Sequence, residues 1–547
     1  MSFLCRFLEG TIGGSQLKWA VFQAIVLSAF FLAFIFLKRK EKETVLSKMA
    51  LLFLIFITLL LCRLPSLVRF ECNTDESQWI AQANNLAASP LLWMKYFFLS
   101  NYSRALTIWP LSVFGFFHFM DSYADARVLS VVLLGLGSFL YYRSTLRLFD
   151  KKTAFYSSAA LILIYSLTNE DEFVAYNSEM PAVFLLMLSF YWFMRLMKSP
   201  GSKWSAVCLG FFLCLAPFAK EQALIIAVLF ELLALIYLFR QDNKPAIVFT
   251  ILGSIAGALV IILPAITLNS FDSIQTQLQT MVDYANVGLL AYNTSLLGRI
   301  KLFIGEYFAC KELVFLILAA FISIPAGVMC YTKMNSTQKW AFGTLLLIFP
   351  VTIYSLYLPG NFFIHYGVLL YFPCSLLLAY AIYALRHFVP RYSSTILLAA
   401  LCFIFLSKKY FPDRNISELA NSCNGQYKNR WTAEIIRYSN PGDRMLIWGW
   451  NNSYYVEAGL LPGGIYLYPQ FVLGSYTRKS AVLNKYAEDL RYLKPRIILE
   501  IAGYNNYMYI DPGTQRIRNF PVLNEYVNRH YKLVEQLNNE YLYVRQD

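Results

Sequence analysis

Charged residues are scarce in this sequence. Asp, Glu, Lys and Arg make up 15% of its 547 residues, whereas an ordinary soluble domain has about a quarter. The ten cysteines form no CxxC pair and no Cys/His spacing suited to zinc, which excludes the common zinc modules. Because at least half of them lie inside apolar runs, we expect buried free thiols. No internal repeat is evident, which argues against a transporter built from inverted repeats.

Apolar residues, by contrast, are abundant: 58% of the chain is hydrophobic and 17% aromatic. A helix needs roughly 20 predominantly apolar residues to cross a membrane. We therefore predict a mainly α-helical, polytopic membrane protein with a bundle of about 12 transmembrane helices. The apolar runs cover approximately residues 17–37, 49–68, 126–146, 153–167, 179–197, 203–218, 223–239, 246–268, 313–331, 341–358, 366–385 and 394–406.

The formal charge of +14 is explained by topology. Basic residues collect in alternate short loops (KRKEK, RLFDKK, RLMKSPGSK, FRQDNK, YTKMNSTQK and RHFVPR), which the positive-inside rule places in the cytoplasm. The membrane surface, and not nucleic acid, is thus the expected partner of these charges. The loops between them, and the C-terminal tail, face outward. Cys72 and Cys423 fall on that outer side, where a disulfide is chemically allowed, and the sequence leaves their pairing open.

Two domains are predicted. Residues 1–407 form the membrane domain, which includes two long outward segments, 69–125 and 269–311. Residues 408–547 form a small extracytoplasmic α/β domain. In this tail RMLIWGW, IYLYPQ, RIILEI and EYLYVRQ read as strands, RWTAEIIRYS and KSAVLNKYAEDLRYL as amphipathic helices, and NPGD as a turn.

Two adjacent carboxylates, Asp75 and Glu76, follow the second apolar run in ECNTDESQWIAQANNLA. Apolar residues at helical spacing come after them, so we predict a helix that these carboxylates head. The helix dipole favours Asp and Glu in a first turn, and an ordinary surface helix would explain them equally. The alternative is a site at the outer edge of the membrane.

Three further outward boundaries carry polar residues. Glu179 precedes Met-Pro at the start of a span, which places Pro181 in the first turn. AKEQAL places Lys220 and Glu221 between two apolar runs, and NFFIHYGVLL places His365 at the head of another. Each has an ordinary explanation: a helix-start carboxylate, a loop whose charges neutralise each other, and a hydrogen-bonded interface histidine. Together, acidic groups at two outer mouths and a nearby lysine suit a cavity that binds a hydroxyl nucleophile, a cation or a phosphate.

Several stretches, taken in chain order, resemble one enzyme group. They are NTDESQWIAQANNL, SNYSRALTIWPLSVFGFF, ADARVLSVVLLGLGSFLYY, AYNSEMPAVFLLML, FLCLAPFAKEQAL, NFFIHYGVLLYFP, NPGDRMLIWGW and YLKPRIILE. In combination they resemble the C-type (GT-C) superfamily of integral-membrane glycosyltransferases. The group most similar to them is the glycosyltransferase family 39-like proteins, related to protein O-mannosyltransferases and lipid A aminoarabinose transferases. Each motif is short, and their order and topology carry the specificity.

The resemblance implies a GT-C-like fold and an activity. A hexosyl or pentosyl group would pass from a polyprenyl-phosphate-linked donor to a glycan, lipid or protein acceptor, with inversion at the anomeric carbon. The reaction would occur on the extracytoplasmic face of a multi-pass protein of the inner (cytoplasmic) membrane. Metal dependence stays open, because some members of the superfamily need a divalent cation and others do not.

The resemblance also implies roles for individual residues. Asp75 would be the general base, with Glu76 supporting it and Glu179 as a second acidic site residue. The residues expected to bind substrate are Lys220, Glu221, His365, Tyr366 and Arg104. The sequence departs from the pattern in having Glu179 where many relatives have Asp, and in an extra span before the first acidic loop.

Two other functions compete with a glycosyltransferase. A transporter or flippase for a lipid-linked saccharide would place charged residues in the middle of spans and break helices there. A membrane scaffold would leave Asp75 and Glu179 dispensable. The charges singled out above cluster at the outer mouths of the spans, which favours chemistry at the membrane surface.

Overall fold

The structure is a computed structural model in which helices predominate. It describes residues 16–39, 44–90, 104–117, 122–168, 170–268, 271–272, 274–276, 278–280, 282–283, 295–388, 429–467, 469–474, 476–501 and 511–546. The predicted span at 394–406, Cys423 and the predicted domain boundary at residue 407 lie outside these residues.

The helices used in the description below are numbered in chain order. They are α1 (Gln16–Arg39), α2 (Val45–Cys62), α3 (Thr74–Ala88), α4 (Ala105–Phe117), α5 (Tyr123–Leu148), α6 (Lys151–Leu167), α7 (Glu179–Lys198), α8 (Lys203–Leu215), α9 (Ala223–Arg240), α10 (Lys244–Leu268), α11 (Leu296–Ala309), α12 (Lys311–Met329), α13 (Ser336–Tyr357), α14 (Tyr371–Phe388), α15 (Trp431–Tyr438), α16 (Ser453–Ala458), α17 (Lys479–Leu493) and α18 (Pro521–His530). A 3₁₀ segment, Ile364–Leu370, leads directly into α14.

The predicted polytopic membrane protein is confirmed. Within the described part of the chain, nine helices are long and apolar enough to cross a membrane, and they coincide with nine of the 12 predicted runs. The runs at 153–167 and 203–218 correspond to shorter helices, α6 with 17 residues and α8 with 13. Polar caps set some of the boundaries: the Asp150 carboxylate accepts hydrogen bonds from the Lys152 and Thr153 amides at the start of α6.

The chain divides into two compact units. The first contains Met1–Val68, Arg127–Ile261 and Thr294–Leu419, and the second contains Arg69–Ala126, Ile262–Asn293 and Ala420–Asp547. The first outward segment and the tail thus belong to one unit. In the first unit, α14 is the central helix, since every residue from Tyr371 to Ala384 is buried.

Helices α8 and α10 approach each other backbone to backbone. A Cβ added at Gly210 would lie 2.0 Å from the Thr250 carbonyl oxygen, and one at Gly253 would lie 2.1 Å from the Val207 carbonyl oxygen. Small residues allow such close contact between membrane helices. The tight packing of α8 therefore depends on glycine at these positions.

We expect Gly210→Ala to lower the temperature of thermal unfolding, because the new methyl group must push α8 away from α10. Overpacking of this kind costs typically about 1–3 kcal/mol. Gly137→Ala is the matched control, since a Cβ at Gly137 in α5 meets nothing within 4 Å. Scanning fluorimetry of the purified protein measures both, and equal unfolding temperatures for the two variants would contradict the close contact.

The second unit contains α3, α4 and the tail. Its sheet has the order β2-β1-β3-β5-β4, with strands β1 (Arg444–Trp448), β2 (Leu461–Pro462), β3 (Ile497–Ile501), β4 (Tyr531–Leu537) and β5 (Glu540–Arg545). β1 lies parallel to β2 and β3, while β5 runs antiparallel to β3 and β4. The α/β character of the tail, both its predicted helices and the NPGD turn are confirmed.

The strand predicted for IYLYPQ is wrong. The backbone here bonds to side chains: the Ile465 amide donates to Asp489, and the Ile465 carbonyl accepts from Gln82. The Tyr466 carbonyl likewise accepts from the Tyr486 hydroxyl. Because these backbone groups are hydrogen-bonded to side chains, they do not pair with a neighbouring strand, and this apolar stretch forms a buried loop. β4 was not predicted, because its residues are mostly exposed at the sheet edge.

Candidate functional site

The helix predicted at Asp75 is present as α3. Asn73 caps it, with its side-chain oxygen accepting from the Asp75 amide at 2.6 Å, which satisfies one of the amides that a helix start leaves unpaired. Asp75 is half-buried, and Glu76 is fully buried. The Glu76 carboxylate accepts from the Cys72 amide at 3.4 Å. Both carboxylates therefore lie in the first turn, as predicted, within the second unit.

Further polar groups surround this helix start. The Ser77 hydroxyl lies 2.9 Å from the Tyr123 hydroxyl and also donates to the Glu71 carboxylate. Trp79 lies on the next turn of α3, and the guanidinium of Arg104 is 5.3 Å from the centre of its ring. The predicted substrate-binding Arg104 thus packs on the same helix as Asp75.

The tail holds α3 from its other end. The side-chain amide of Gln82 donates a hydrogen bond to the Ile465 carbonyl at 3.1 Å. The Arg444 guanidinium donates to the Asn85 side-chain oxygen at 2.9 Å and to the Ser89 hydroxyl at 3.1 Å. Helix α16 also packs against α3. Sequence reasoning missed Arg444, because its partners on α3 lie more than 350 residues away in the chain.

We expect Arg444→Ala to loosen the C-terminal half of α3. Hydrogen bonds from a charged group are worth about 1.5–3 kcal/mol, so hydrogen exchange of the amides in residues 82–89 should speed up about tenfold or more. Arg437→Ala is the control, since Arg437 is exposed and, among the described residues, forms its ion pair with Glu434 of its own helix. Unchanged exchange in α3 would show that Arg444 does not hold it.

In the first unit, α7 begins at Glu179, as predicted. The Lys220 Nζ atom lies 2.5 Å from Oε1 of Glu179, with side-chain exposures of 1% and 0%. The same ammonium lies 4.1 Å from the centre of the Tyr366 ring. The structure therefore brings three predicted site residues together as a buried ion pair against an aromatic face.

His365 lies beside this group. Its Nδ1 atom is 2.7 Å from Oε2 of Glu172, and its ring stacks on Phe363 and meets Tyr366 edge-on. A sequence this acidic, NEDEF, suggests a solvated loop, but the Glu172 carboxylate contacts His365 and its side chain is only 27% exposed. Glu221, next to Lys220, is half-buried.

One group of side chains among the described residues could hold a metal ion. Glu170, Cys310 and Glu312 place their ligand atoms within 4.8 Å of one another. Burial raises the pKa of the Cys310 thiol to about 12, and the Glu312 and Glu170 carboxylates add to this effect. A thiolate with two carboxylates is a donor set that zinc accepts. Sequence spacing could not reveal it, because Glu170 lies at least 140 residues before Cys310 and Glu312 in the chain.

Glu231 lies in the middle of α9. Its carboxylate accepts a hydrogen bond from the Ser254 hydroxyl of α10 at 2.5 Å. The charged residues of the spans are therefore not confined to the span ends. A charged residue in the middle of a span is one of the two features that the transporter alternative predicts; the other, a broken helix, is absent at Glu231, since α9 is continuous from Ala223 to Arg240.

The fold resembles that of solved membrane proteins. The crystal structure of ArnT from Cupriavidus metallidurans bound to undecaprenyl phosphate matches with a TM-score of 0.54 and 10% identity, over 91% of this chain and 98% of that chain. Its apo state matches with a TM-score of 0.52 and 9% identity, over 91% and 97%. The Archaeoglobus fulgidus oligosaccharyltransferase tethered with an acceptor peptide gives 0.44 and 11%, over 88% and 72%.

The sequence itself matches no protein-family model and no curated protein. At about a tenth identity, the likeness to ArnT establishes the fold alone. It confirms the predicted architecture, a helical membrane bundle with a C-terminal α/β domain, as one that these solved membrane proteins share in overall fold.

Proposed function

We propose that this protein is a membrane glycosyltransferase that moves a sugar from a polyprenyl-phosphate-linked donor to an acceptor at the extracytoplasmic face of the inner membrane. The acceptor is a glycan, a lipid or a protein. The GT-C-like fold supports this proposal, since the ArnT structure with that fold holds undecaprenyl phosphate. The positions of Asp75 and Glu179 in the first turns of their helices also support the proposal.

The buried pair of Glu179 and Lys220 is the observation that carries the proposal. Removing two charges from water is costly, and a buried ion pair is weak evidence for a purely stabilising role. A charged pair at the start of a span is therefore a candidate functional site. We propose that Lys220 contacts the donor phosphate, with Glu179 holding the ammonium in place until the phosphate arrives.

The reaction assigns a separate role to Asp75. Its carboxylate would take the proton of the acceptor hydroxyl as that oxygen attacks the anomeric carbon. The bond to the phosphate oxygen would break at the same time, and the configuration would invert. The polyprenyl phosphate leaves as an anion, which a cation stabilises, and we assign that role to Lys220. Glu76, Arg104, Glu221, His365 and Tyr366 are proposed to orient substrates.

Transfer of label from synthetic polyprenyl-phosphate sugars tests the proposal. Membranes containing the protein are incubated with a panel of labelled hexosyl and pentosyl donors, beside membranes that lack it. We expect protein-dependent release of polyprenyl phosphate and label on an acceptor with at least one donor. If no donor gives either product while the folded protein is present, the proposal is wrong.

A transporter for a lipid-linked saccharide is the second candidate, and Glu231 is the observation that favours it. Such a protein would move labelled donor across a vesicle membrane without consuming it. A glycosyltransferase would consume the donor and leave its sidedness unchanged. Measuring donor sidedness and chemical integrity in the same vesicles separates the two functions.

A further inference from the structure

A cluster of cationic and aromatic side chains lies at the opposite end of α7 from Glu179. Arg147 on α5 donates to the Tyr191 hydroxyl at 3.3 Å, and its guanidinium lies 4.5 Å from the centre of that ring. On α7, the guanidinium of Arg195 lies 5.1 Å from the centre of the Trp192 ring. Tyr191 and Trp192 meet edge-on at 5.4 Å. Two helices thus contribute to one surface group.

Within the part of the chain that the structure describes, this cluster contains hydrogen-bond donors but lacks an acidic partner. Among the described residues, Arg147 contacts the Tyr191 side chain and the Arg143 carbonyl, and Arg195 contacts the Trp192 ring; neither contacts a carboxylate. The indole nitrogen of Trp192 is buried and has no hydrogen-bond acceptor among the described residues. The guanidinium of Arg143 is near enough to add its positive charge to the field at Arg147.

Arg147 is half-buried, and a charge partly removed from water needs an opposite charge to offset its desolvation. A phosphate diester supplies both the charge and several acceptor oxygens, and arginine forms bidentate bonds with it. Tyr and Trp rings at the end of a membrane span lie at headgroup depth. The helix ends on this side carry the basic loops, which the positive-inside rule predicts to face the anionic cytoplasmic leaflet.

We propose that Arg147 and Arg195, together with Tyr191 and Trp192, bind the phosphate of an anionic phospholipid at the end of the bundle opposite Glu179. The diester phosphate lies between the two guanidiniums, and the acyl chains follow the apolar surfaces of α5 and α7. Arg195 is exposed, so its side chain can close on the headgroup without moving the helices. The site does not depend on transfer activity.

The test is the thermal unfolding of the purified full-length protein in detergent, titrated with phosphatidylglycerol. We expect a rise in unfolding temperature that phosphatidylcholine does not produce. In the double variant Arg147→Gln/Arg195→Gln, half of the rise should need about tenfold more phosphatidylglycerol or greater, because each basic residue contributes appreciably at an anionic surface. A parent-like titration of this variant would overturn the proposal.

A matched control uses Lys151→Gln/Lys244→Gln, which removes two exposed positive charges at the starts of α6 and α10. We expect it to titrate like the parent; an equal loss would show that only net charge matters and would refute the site. Inorganic phosphate at millimolar concentration forms a third arm. If it alone reproduces the full rise, the ligand is a free phosphate and not a lipid.

Should the double variant fail to fold, Arg195→Gln alone carries the test. Its position is exposed, so folding is expected to be unaffected. We expect half of the rise to need about fivefold more phosphatidylglycerol. An unchanged titration in this folded variant would count against the site.

Discussion

Replacing Asp75 with asparagine is expected to lower the rate of sugar transfer about 10²–10⁴-fold, the usual contribution of a positioned general base. Asparagine keeps the size of the side chain and cannot take the acceptor proton. The helix start should persist, because the cap is made by Asn73 to the backbone amide of residue 75. Donor binding should also persist, because the proposed contact with the donor phosphate is made by Lys220 and not by Asp75. Transfer assays at matched expression, with donor binding measured separately, check both expectations.

Asp272→Asn is the control for this variant. Asp272 is an exposed aspartate of the same unit, with a side chain 77% accessible and a surface contact to Arg478. Such surface pairs contribute little, so transfer should stay at the parent level. If Asp75→Asn also transfers at the parent rate, Asp75 is only a helix-start carboxylate and another group must act as the base.

Replacing Lys220 with methionine should both destabilise the protein and abolish donor binding. The change leaves the Glu179 carboxylate buried beside an apolar side chain. Breaking a buried ion pair by removing one partner costs about 3–5 kcal/mol. The loss of the ammonium also removes the proposed contact with the donor phosphate. Thermal unfolding and binding of a polyprenyl phosphate to the purified variant measure the two effects.

The double variant Glu179→Gln/Lys220→Met separates stability from function. With both charges gone, most of the lost stability should return, while donor binding and transfer should stay absent. Lys333→Met is the control, because Lys333 also lies over an aromatic ring, that of Phe388, but is exposed. Recovery of transfer in the double variant would show that Lys220 does not hold the phosphate.

Long apolar runs were readable from the sequence for a simple physical reason. A span must satisfy its backbone hydrogen bonds within one helix and present apolar side chains to lipid. Nine of the predicted runs therefore correspond to the nine long apolar helices found among the described residues. The helix starts at Asp75 and Glu179 could also be predicted from sequence, because the caps and first-turn residues that mark them lie within a few positions.

The tail shows where local pattern fails. The alternation in Ile465–Leu467 is that of a strand, yet Gln82, Tyr486 and Asp489 occupy its backbone groups. β4 shows the reverse case: its side chains are mostly exposed and carry no strand pattern, yet it forms the edge strand of the sheet. Periodicity reports which side chains are buried, and it does not identify the partner of each backbone group.

The sequence by itself determined that this is a multi-pass membrane protein, approximately where its spans lie, and which span boundaries carry charge. Composition and capping decide these features within a few residues. Only the tertiary structure decided that Lys220 pairs with Glu179 and lies against Tyr366, that Glu172 meets His365, and that Arg444 holds α3. Each of these contacts joins residues far apart in the chain, and their pairing follows from how the helices and the sheet pack.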